Sequence, residues 1–499
     1  MSKNSLIAIH IAVAWLSVVV ALALMVARAA DAISFNQPLM VVTSGAEMDS
    51  TLAFWKHIQG RPVFEDPHRI PFVASAYNWL YYGFYGEVGG VILKLFSLDF
   101  VWLPTVGRWI SLAWAAVGAG LLLSLLRRAG GGTNDLVAVA PPFAIFAFFG
   151  PLVGFWAVSN NVELAATVCG VAGSLAFVTW YDAKPMRAIV LATLFSYLAW
   201  SFKQTHIFLA ATLVLFLLLR RDWRSLSVML LLHGAGWGAA IMLGSDAYVK
   251  ILFFKGTDAT LELGRLWVNL VNVAVKSTPI IAAATALIFL ALRPRRSLAE
   301  LSRETTLAFA LVGLSVCLVL VVPMSAKQGA SENYYFPLMA FLLFATFTVV
   351  GATPRPVGPG RVWHAAAIAG WLAMAAACVT VLLGYSGVVS VRPWHDRHVV
   401  QRDCIKGTPG PLLPVGNLML SLPWLSDAEP RFNVFFNYAY DRAAGRWFEE
   451  DGVAGLIRKR YFGTIAVAAG SAPSFDGAAF EGYTLVLPGC GGLDIYVRK

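Results

Sequence analysis

Acidic residues are scarce in this chain. It carries 28 Asp and Glu against 38 Lys and Arg in 499 residues, and only 13% of its residues are charged. With 58% hydrophobic residues, a soluble protein of this length could not hide its apolar surface, so the class is a multi-span membrane protein. Also missing are a Walker loop, a GxGxxG, an HExxH and any Cys/His spacing of a metal site, which leaves ATP chemistry and zinc hydrolysis unsupported. No internal repeat and no low-complexity tract stands out. The net charge of +10 does not imply a nucleic-acid partner, because the basic residues fall between hydrophobic segments and form no single patch. Positive charge at helix ends instead serves topology and contact with anionic membrane lipids. Of the five cysteines, Cys169, Cys317 and Cys378 fall in apolar segments and read as packing residues. Cys404 and Cys490 lie near the two ends of a polar C-terminal region, where an oxidising compartment would staple them.

What is abundant is apolar sequence in runs of spanning length. About eleven transmembrane helices are expected, near 7–27, 107–126, 136–157, 162–180, 187–202, 206–219, 225–243, 277–292, 305–323, 334–351 and 362–384. Lys3 precedes the first. Every second loop is then short and basic: Arg127-Arg128, Lys184 and Arg187, Arg220-Arg221 and Arg224, Arg293 with Arg295-Arg296, and Arg355 with Arg361. The positive-inside rule makes these loops and the N-terminus cytoplasmic, and the C-terminus external, which in a bacterium is periplasmic. Ala27-Arg28-Ala29 loosely mimics a signal-peptidase site, but the apolar run before it is too long for a usual signal, so an uncleaved span is expected.

External sequence is concentrated at 29–106, 244–276 and beyond 385. Residues 1–385 form a transmembrane module and 386–499 a small soluble domain of mixed α/β structure. In the first loop Met48, Leu52 and Trp55 recur at helical spacing, predicting a short amphipathic helix that carries Asp49 on its flank and Glu47 on another face. Residues 76–97, rich in Tyr and Trp, read as a helix in the interface plane. In the C-terminal region FNVFFNY, TIAVAA, YTLVL and LDIYVR are predicted strands, and EEDGVAGLIRKRYF a helix.

Polar residues at the external ends of spans are the candidates for chemistry. They are Asp49 in GAEMDS, Glu163 after Asn160-Asn161, Lys203 and His206 between the fifth and sixth spans, and Lys327, Glu332, Asn333 and Tyr334 in SAKQGASENYYFP. Each has a plainer role available: a helix-start acid for Asp49 and Glu163, a snorkelling cation for Lys203, a structural His206. What they share is one face of the membrane. Acids there can take a proton from a hydroxyl or hold a metal, and cations there can hold phosphate. The spans are clean inside and polar at one end, which favours surface chemistry over a transport path.

With these residues in place, the order of parts resembles the GT-C superfamily of polyprenyl-phosphate-dependent glycosyltransferases. Within it, the chain is most similar to the bacterial protein O-mannosyltransferase-like group, which includes aminoarabinose and lipopolysaccharide galacturonosyl transferases. The segments that carry the resemblance are EMDSTLAFWKHIQGRPVFEDP, YNWLYYGFYG with Gly107-Arg108, Glu163, Lys203 and KQGASENYYFP. Glu163 stands where the family more often has Asp, and no tight Asp-Glu pair surrounds Asp49. The resemblance implies a GT-C type fold and a polyprenyl-phosphate sugar donor, with an envelope glycan, lipid or protein as acceptor. Inverting transfer would use Asp49 as the base, with Glu47 and Glu163 as further catalytic candidates. Lys203, Arg69 and Lys327 would hold the donor phosphate, and His68, Tyr77, Asn333, Tyr334 and His206 would line the substrates. The divalent cation it allows is Mg or Mn, on Asp49 and Glu163. A flippase or transporter of lipid-linked sugar is the alternative.

Overall fold

The computed structural model describes residues 3–34, 46–73, 75–131, 134–154, 156–254, 260–291, 304–352, 359–384, 392–415, 429–432 and 436–499. Contacts divide the chain into two compact units: Met1–Ala29, Ser111–Leu243 and Thr260–Val389 form the first, and Ala30–Ile110, Gly244–Ala259 and Ser390–Lys499 the second. Each of the eleven apolar segments carries a helix. Those in or entering the first unit are α1 (Lys3–Ser34), α4 (Leu103–Ala129), α5 (Asn134–Phe149), α6 (Val162–Trp180), α7 (Pro185–Phe202), α8 (Phe208–Arg220), α9 (Trp223–Leu243), α11 (Thr278–Ala291), α12 (Thr305–Ser325), α13 (Phe336–Ala352) and α14 (Pro359–Leu383). Eight helices among the described residues are long and apolar enough to cross a membrane, and a bent pair, α10 (Leu263–Lys276) with α11, would make a ninth. The other two, α5 and α8, are shorter apolar helices. The protein is therefore a multi-pass helical membrane protein. The basic loop residues Arg293, Arg295, Arg296 and Arg355 lie outside the described residues.

Small residues set the close approaches inside this bundle. A Cβ at Gly313 of α12 would come within 2.2 Å of Phe341 on α13, and one at Gly173 of α6 within 2.4 Å of Leu209 on α8. Side chains there would force the helices apart, as expected where apolar helices associate by van der Waals fit and not by exclusion of water.

In the second unit the two helices expected from the first loop are present: α2 (Ala46–Ile58) and α3 (Trp79–Leu95). The face of α2 set by Met48, Leu52 and Trp55 is buried, and so is Phe54 on another side of the helix. Asn78 caps α3 by accepting the Trp79 N–H at 2.8 Å, and Gly86 lets α3 approach His57 of α2, where a Cβ would sit 2.7 Å from the ring.

The C-terminal part contains α15 (Arg392–Ile405), α16 (Phe436–Ala443), α17 (Gly452–Arg458), a two-stranded pair of β3 (Ser474–Phe475) and β4 (Ala478–Ala479), and a mixed sheet in the order β1-β2-β6-β5. Strand β1 (Leu412–Pro414) runs parallel to β2 (Thr464–Ala468), while β6 (Leu493–Arg498) is antiparallel to both β2 and β5 (Tyr483–Cys490). A disulfide joins Cys404, near the end of α15, to Cys490, the last residue of β5. Two expectations are revised. FNVFFNY, read as a strand, ends in a helix from Phe436, with 433–435 outside the described residues. Tyr438 and Asp441, three apart, are both buried there, so tertiary packing overrides the β preference of the aromatic run. Second, the C-terminal core is not built from residues after 386 alone. Phe72 of the first loop, 1% exposed, packs with Phe432, Tyr438 and Phe448. Burying such a ring contributes roughly 1.5–3 kcal/mol, enough to make the loop part of that core.

Candidate functional site

The residues singled out from the sequence fall into three places. The first is the start of α2. Glu47 is fully buried, and Arg108 of α4 clasps it with two bonds, Nε to Oε1 and Nη2 to Oε2, each 2.9 Å. The remaining guanidinium edge donates to the Ala32 carbonyl at 2.7 Å, and the Thr51 hydroxyl donates to the Glu47 carbonyl at 2.7 Å. Both oxygens of this carboxylate are thus taken up by charge-assisted bonds to one buried guanidinium. Through these bonds Glu47 ties the start of α2 to α4. Arg108 was visible in the sequence only as part of a motif. The signal for its role was the rarity of an arginine at the start of a span, which demands a partner.

Asp49, one helical step beyond the clamp, is partly exposed. Its charge is felt by Tyr82, whose hydroxyl is pushed up first by burial and further by Asp49. The Tyr77 N–H donates to that same hydroxyl at 2.9 Å. Asp49 and Tyr77 thus border one aromatic cluster, with Phe54 stacked on Tyr85 at 5.3 Å and Tyr81 4.8 Å from Tyr85.

The second place joins the first loop to the C-terminal sheet region. His68 is buried, its Nε2 3.0 Å from Asp441 and its Nδ1 3.4 Å from Asp66, with Phe448 edge-on to its ring. Glu449 receives the Ile70 N–H at 3.0 Å, and its own N–H donates to the His68 carbonyl at 2.9 Å. His68 is thus bonded within the protein, to Asp441 and Asp66. Arg69 beside it is exposed.

The third place lies in the first unit and gathers six of the singled-out residues. Asn161 caps α6, its Oδ1 accepting the Glu163 N–H at 2.9 Å. This cap fixes Glu163, 1% exposed, in the first turn, where the helix dipole favours its charge. Lys203, at the C-terminal end of α7 and 4% exposed, forms an ion pair with Glu163 Oε1. Asn333 Nδ2 donates to the same oxygen at 2.6 Å, and the Ser331 hydroxyl holds Asn333 by donating to its Oδ1 at 2.8 Å. The Lys203 ammonium also sits 4.3 Å from the centroid of the Tyr334 ring, a cation–π contact. Burial works against the Lys203 charge, but Glu163 and Tyr334 together hold its pKa above the usual lysine value. Lys327 is shifted down, first by burial and then by repulsion from Lys203. His206 donates its backbone N–H to the Lys203 carbonyl at 2.9 Å, and burial with the same ammonium holds its imidazole well below the usual range, so it is neutral.

Two features make this cluster receptive. Among the described residues, the second carboxylate oxygen, Glu163 Oε2, is buried with no hydrogen-bond partner. With both lysines charged and one carboxylate, the cluster carries an excess positive charge. Beside it, within the same unit, His206 lines a mostly apolar cavity with Thr167, Leu209, Phe341 and Phe344. Among the described residues no group of three or more His, Cys, Asp or Glu comes together as a metal site.

This is the fold of a polytopic membrane protein with a polar cluster at one end of its helices, the architecture expected for the GT-C type. Two solved structures share it. They are the ArnT from Cupriavidus metallidurans bound to undecaprenyl phosphate, at a TM-score of 0.56 and 13% identity over 99% of this chain and 98% of that one, and the same protein in the apo state, at 0.58 and 13% over 96% and 97%. No family model and no curated protein sequence matches the chain.

Proposed function

We propose that this protein is a glycosyltransferase that moves a sugar from a polyprenyl-phosphate donor to an envelope glycan, lipid or protein acceptor. The reaction runs on the periplasmic face of a bacterial inner membrane. The observation that carries this reading is the Glu163–Lys203–Asn333–Tyr334 cluster with Lys327: a largely buried, net-positive group beside a small apolar cavity, chemistry that suits the phosphate of a lipid-linked donor. It gains support from the ArnT fold, whose solved form carries undecaprenyl phosphate.

In the proposed step the acceptor oxygen attacks the anomeric carbon, the bond from that carbon to the phosphate oxygen breaks, and polyprenyl phosphate leaves. Asp49 takes the acceptor proton. Lys203 and Lys327 stabilise the negative charge that grows on the phosphate, and Lys203 exchanges part of its contact with Glu163 for the phosphate. Glu163, through its unpartnered oxygen, orients a substrate hydroxyl. A divalent cation, Mg or Mn, would act on the same phosphate charge; chelation of the purified enzyme followed by metal addition tests for it.

The deciding experiment is transfer from an undecaprenyl-phosphate sugar in proteoliposomes. Lys203→Ala is expected to weaken donor binding by about 10–100-fold, the worth of a charge-assisted bond, and to lower turnover as well. Movement of labelled lipid-linked sugar across the vesicle without any transfer would replace the reading with a flippase.

A further inference from the structure

Helix α10 is built inside out for a protein in water. Leu263, Trp267 and Val275 are 82%, 68% and 57% exposed, and Leu270 and Val271 lie on the same side. The opposite side, turned to the protein, carries Asn269 and Val273, both buried, and the half-buried Lys276. Most of the large apolar side chains point away, while the inward side sets polar Asn269 and Lys276 beside Val273. Such a face is stable where its surroundings are themselves half apolar, as at the headgroup–acyl boundary of a bilayer. The chain then bends by 83° into apolar α11. With α11 directed into the bilayer, a helix bent away from it by that angle runs along the membrane plane, so α10 and α11 do not form one straight span.

The inward side of α10 is fastened to a single loop. Asn269 Nδ2 donates to the Ser325 carbonyl at 2.9 Å and to the Ala330 carbonyl at 3.3 Å, and Lys276 pairs with Glu332. The residues just before the helix continue this seam: Glu262 N–H donates to Ala326 O at 2.7 Å, and Gln328 N–H to Thr260 O at 2.8 Å. The loop so gripped, 325–332, contains Lys327 and leads directly into Asn333 and Tyr334, which contact Glu163 and Lys203.

We propose that α10 seats its Leu263–Trp267–Val271 face in the interfacial region of the phospholipid leaflet, and that Asn269 is a positioning residue tying the 325–332 loop to that seat. Lipid contact and the geometry of the polar cluster are thereby coupled. The lipid contact stands independently of the glycosyltransferase reading; only the consequence for donor binding rests on it.

The test uses the full chain in vesicles of phosphatidylethanolamine and phosphatidylglycerol. A bimane fluorophore on Val271→Cys should be quenched by doxyl lipids and spared by aqueous iodide. Quenching by iodide alone, or protection from both through contact with a second copy or another protein, overturns the seat. Asn269→Asp keeps the size and removes the two donated bonds. Hydrogen exchange should speed up in 325–332 while α12 and α13 stay protected, and binding of undecaprenyl phosphate should weaken about tenfold. Lys276→Gln, which touches only the loop's Glu332, should give the same pattern more weakly. Unchanged exchange in 325–332 for both variants overturns the coupling. Altered exchange with no effect on undecaprenyl phosphate keeps the coupling and counts against the donor reading instead.

Discussion

Two buried ion pairs, one in each unit, set the terms for this protein. Glu47–Arg108 is saturated: both carboxylate oxygens and the backbone-facing edge of the guanidinium are bonded. Glu163–Lys203 is not: one carboxylate oxygen lacks a partner, the ammonium shares its charge with an aromatic face, and a second lysine close by is shifted down by repulsion. A flat, five-donor guanidinium matches a carboxylate bidentately, whereas a compact ammonium makes a point contact that can be exchanged. Charge inside a membrane protein is therefore no sign of a site by itself. The bonds left unmade are what the proposed function assigns to a ligand.

The largest expected effect falls beside the saturated pair. Asp49→Asn should lower transfer about 10²–10⁴-fold while leaving expression and donor binding intact, because Asp49 is only partly buried. Near-normal turnover would remove Asp49 as the base. Two residues away, Glu47→Gln breaks the comparison from the other side. On sequence grounds it should be mild, since Glu47 faces away from Asp49. With Arg108 left buried and unpaired, the structure instead predicts a folding loss of roughly 3–5 kcal/mol. An unaltered melting temperature for the Glu47→Gln protein would refute the clamp.

The smallest effect sharpens the open pair. Lys327 titrates below the usual lysine value, so in the free protein its charge is a cost that is relieved as pH rises through its lowered pKa, below 10.5. A bound phosphate favours the ammonium and raises that pKa again. Affinity for undecaprenyl phosphate should be fullest below the free-state pKa and fall, by at most tenfold per pH unit, as pH rises through it. Lys327→Arg, which stays charged, should flatten this alkaline fall. An alkaline fall unchanged in the arginine variant would assign it to another group.

Much of this was legible before any coordinates. Runs of apolar residues have nowhere to go but a bilayer, so the helices at 162–180, 187–202 and 334–351 follow from hydropathy alone. The capping signal of Asn161 and the helical period of Met48, Leu52 and Trp55 are equally local. Asparagine, lysine and glutamate at span ends could be picked out because they are costly there. The sequence by itself thus determined which segments are helices and which polar residues needed partners. It could not determine which partner each one has. Arg108 to Glu47, His68 to Asp441, Phe72 to Phe448 and Asn333 to Glu163 are contacts across 61, 373, 376 and 170 positions. Such pairings carry no periodic signal, because they are fixed by packing between elements and not by geometry along one. Tertiary structure alone decided that of two buried glutamates one is bonded on both carboxylate oxygens and the other, among the described residues, on one.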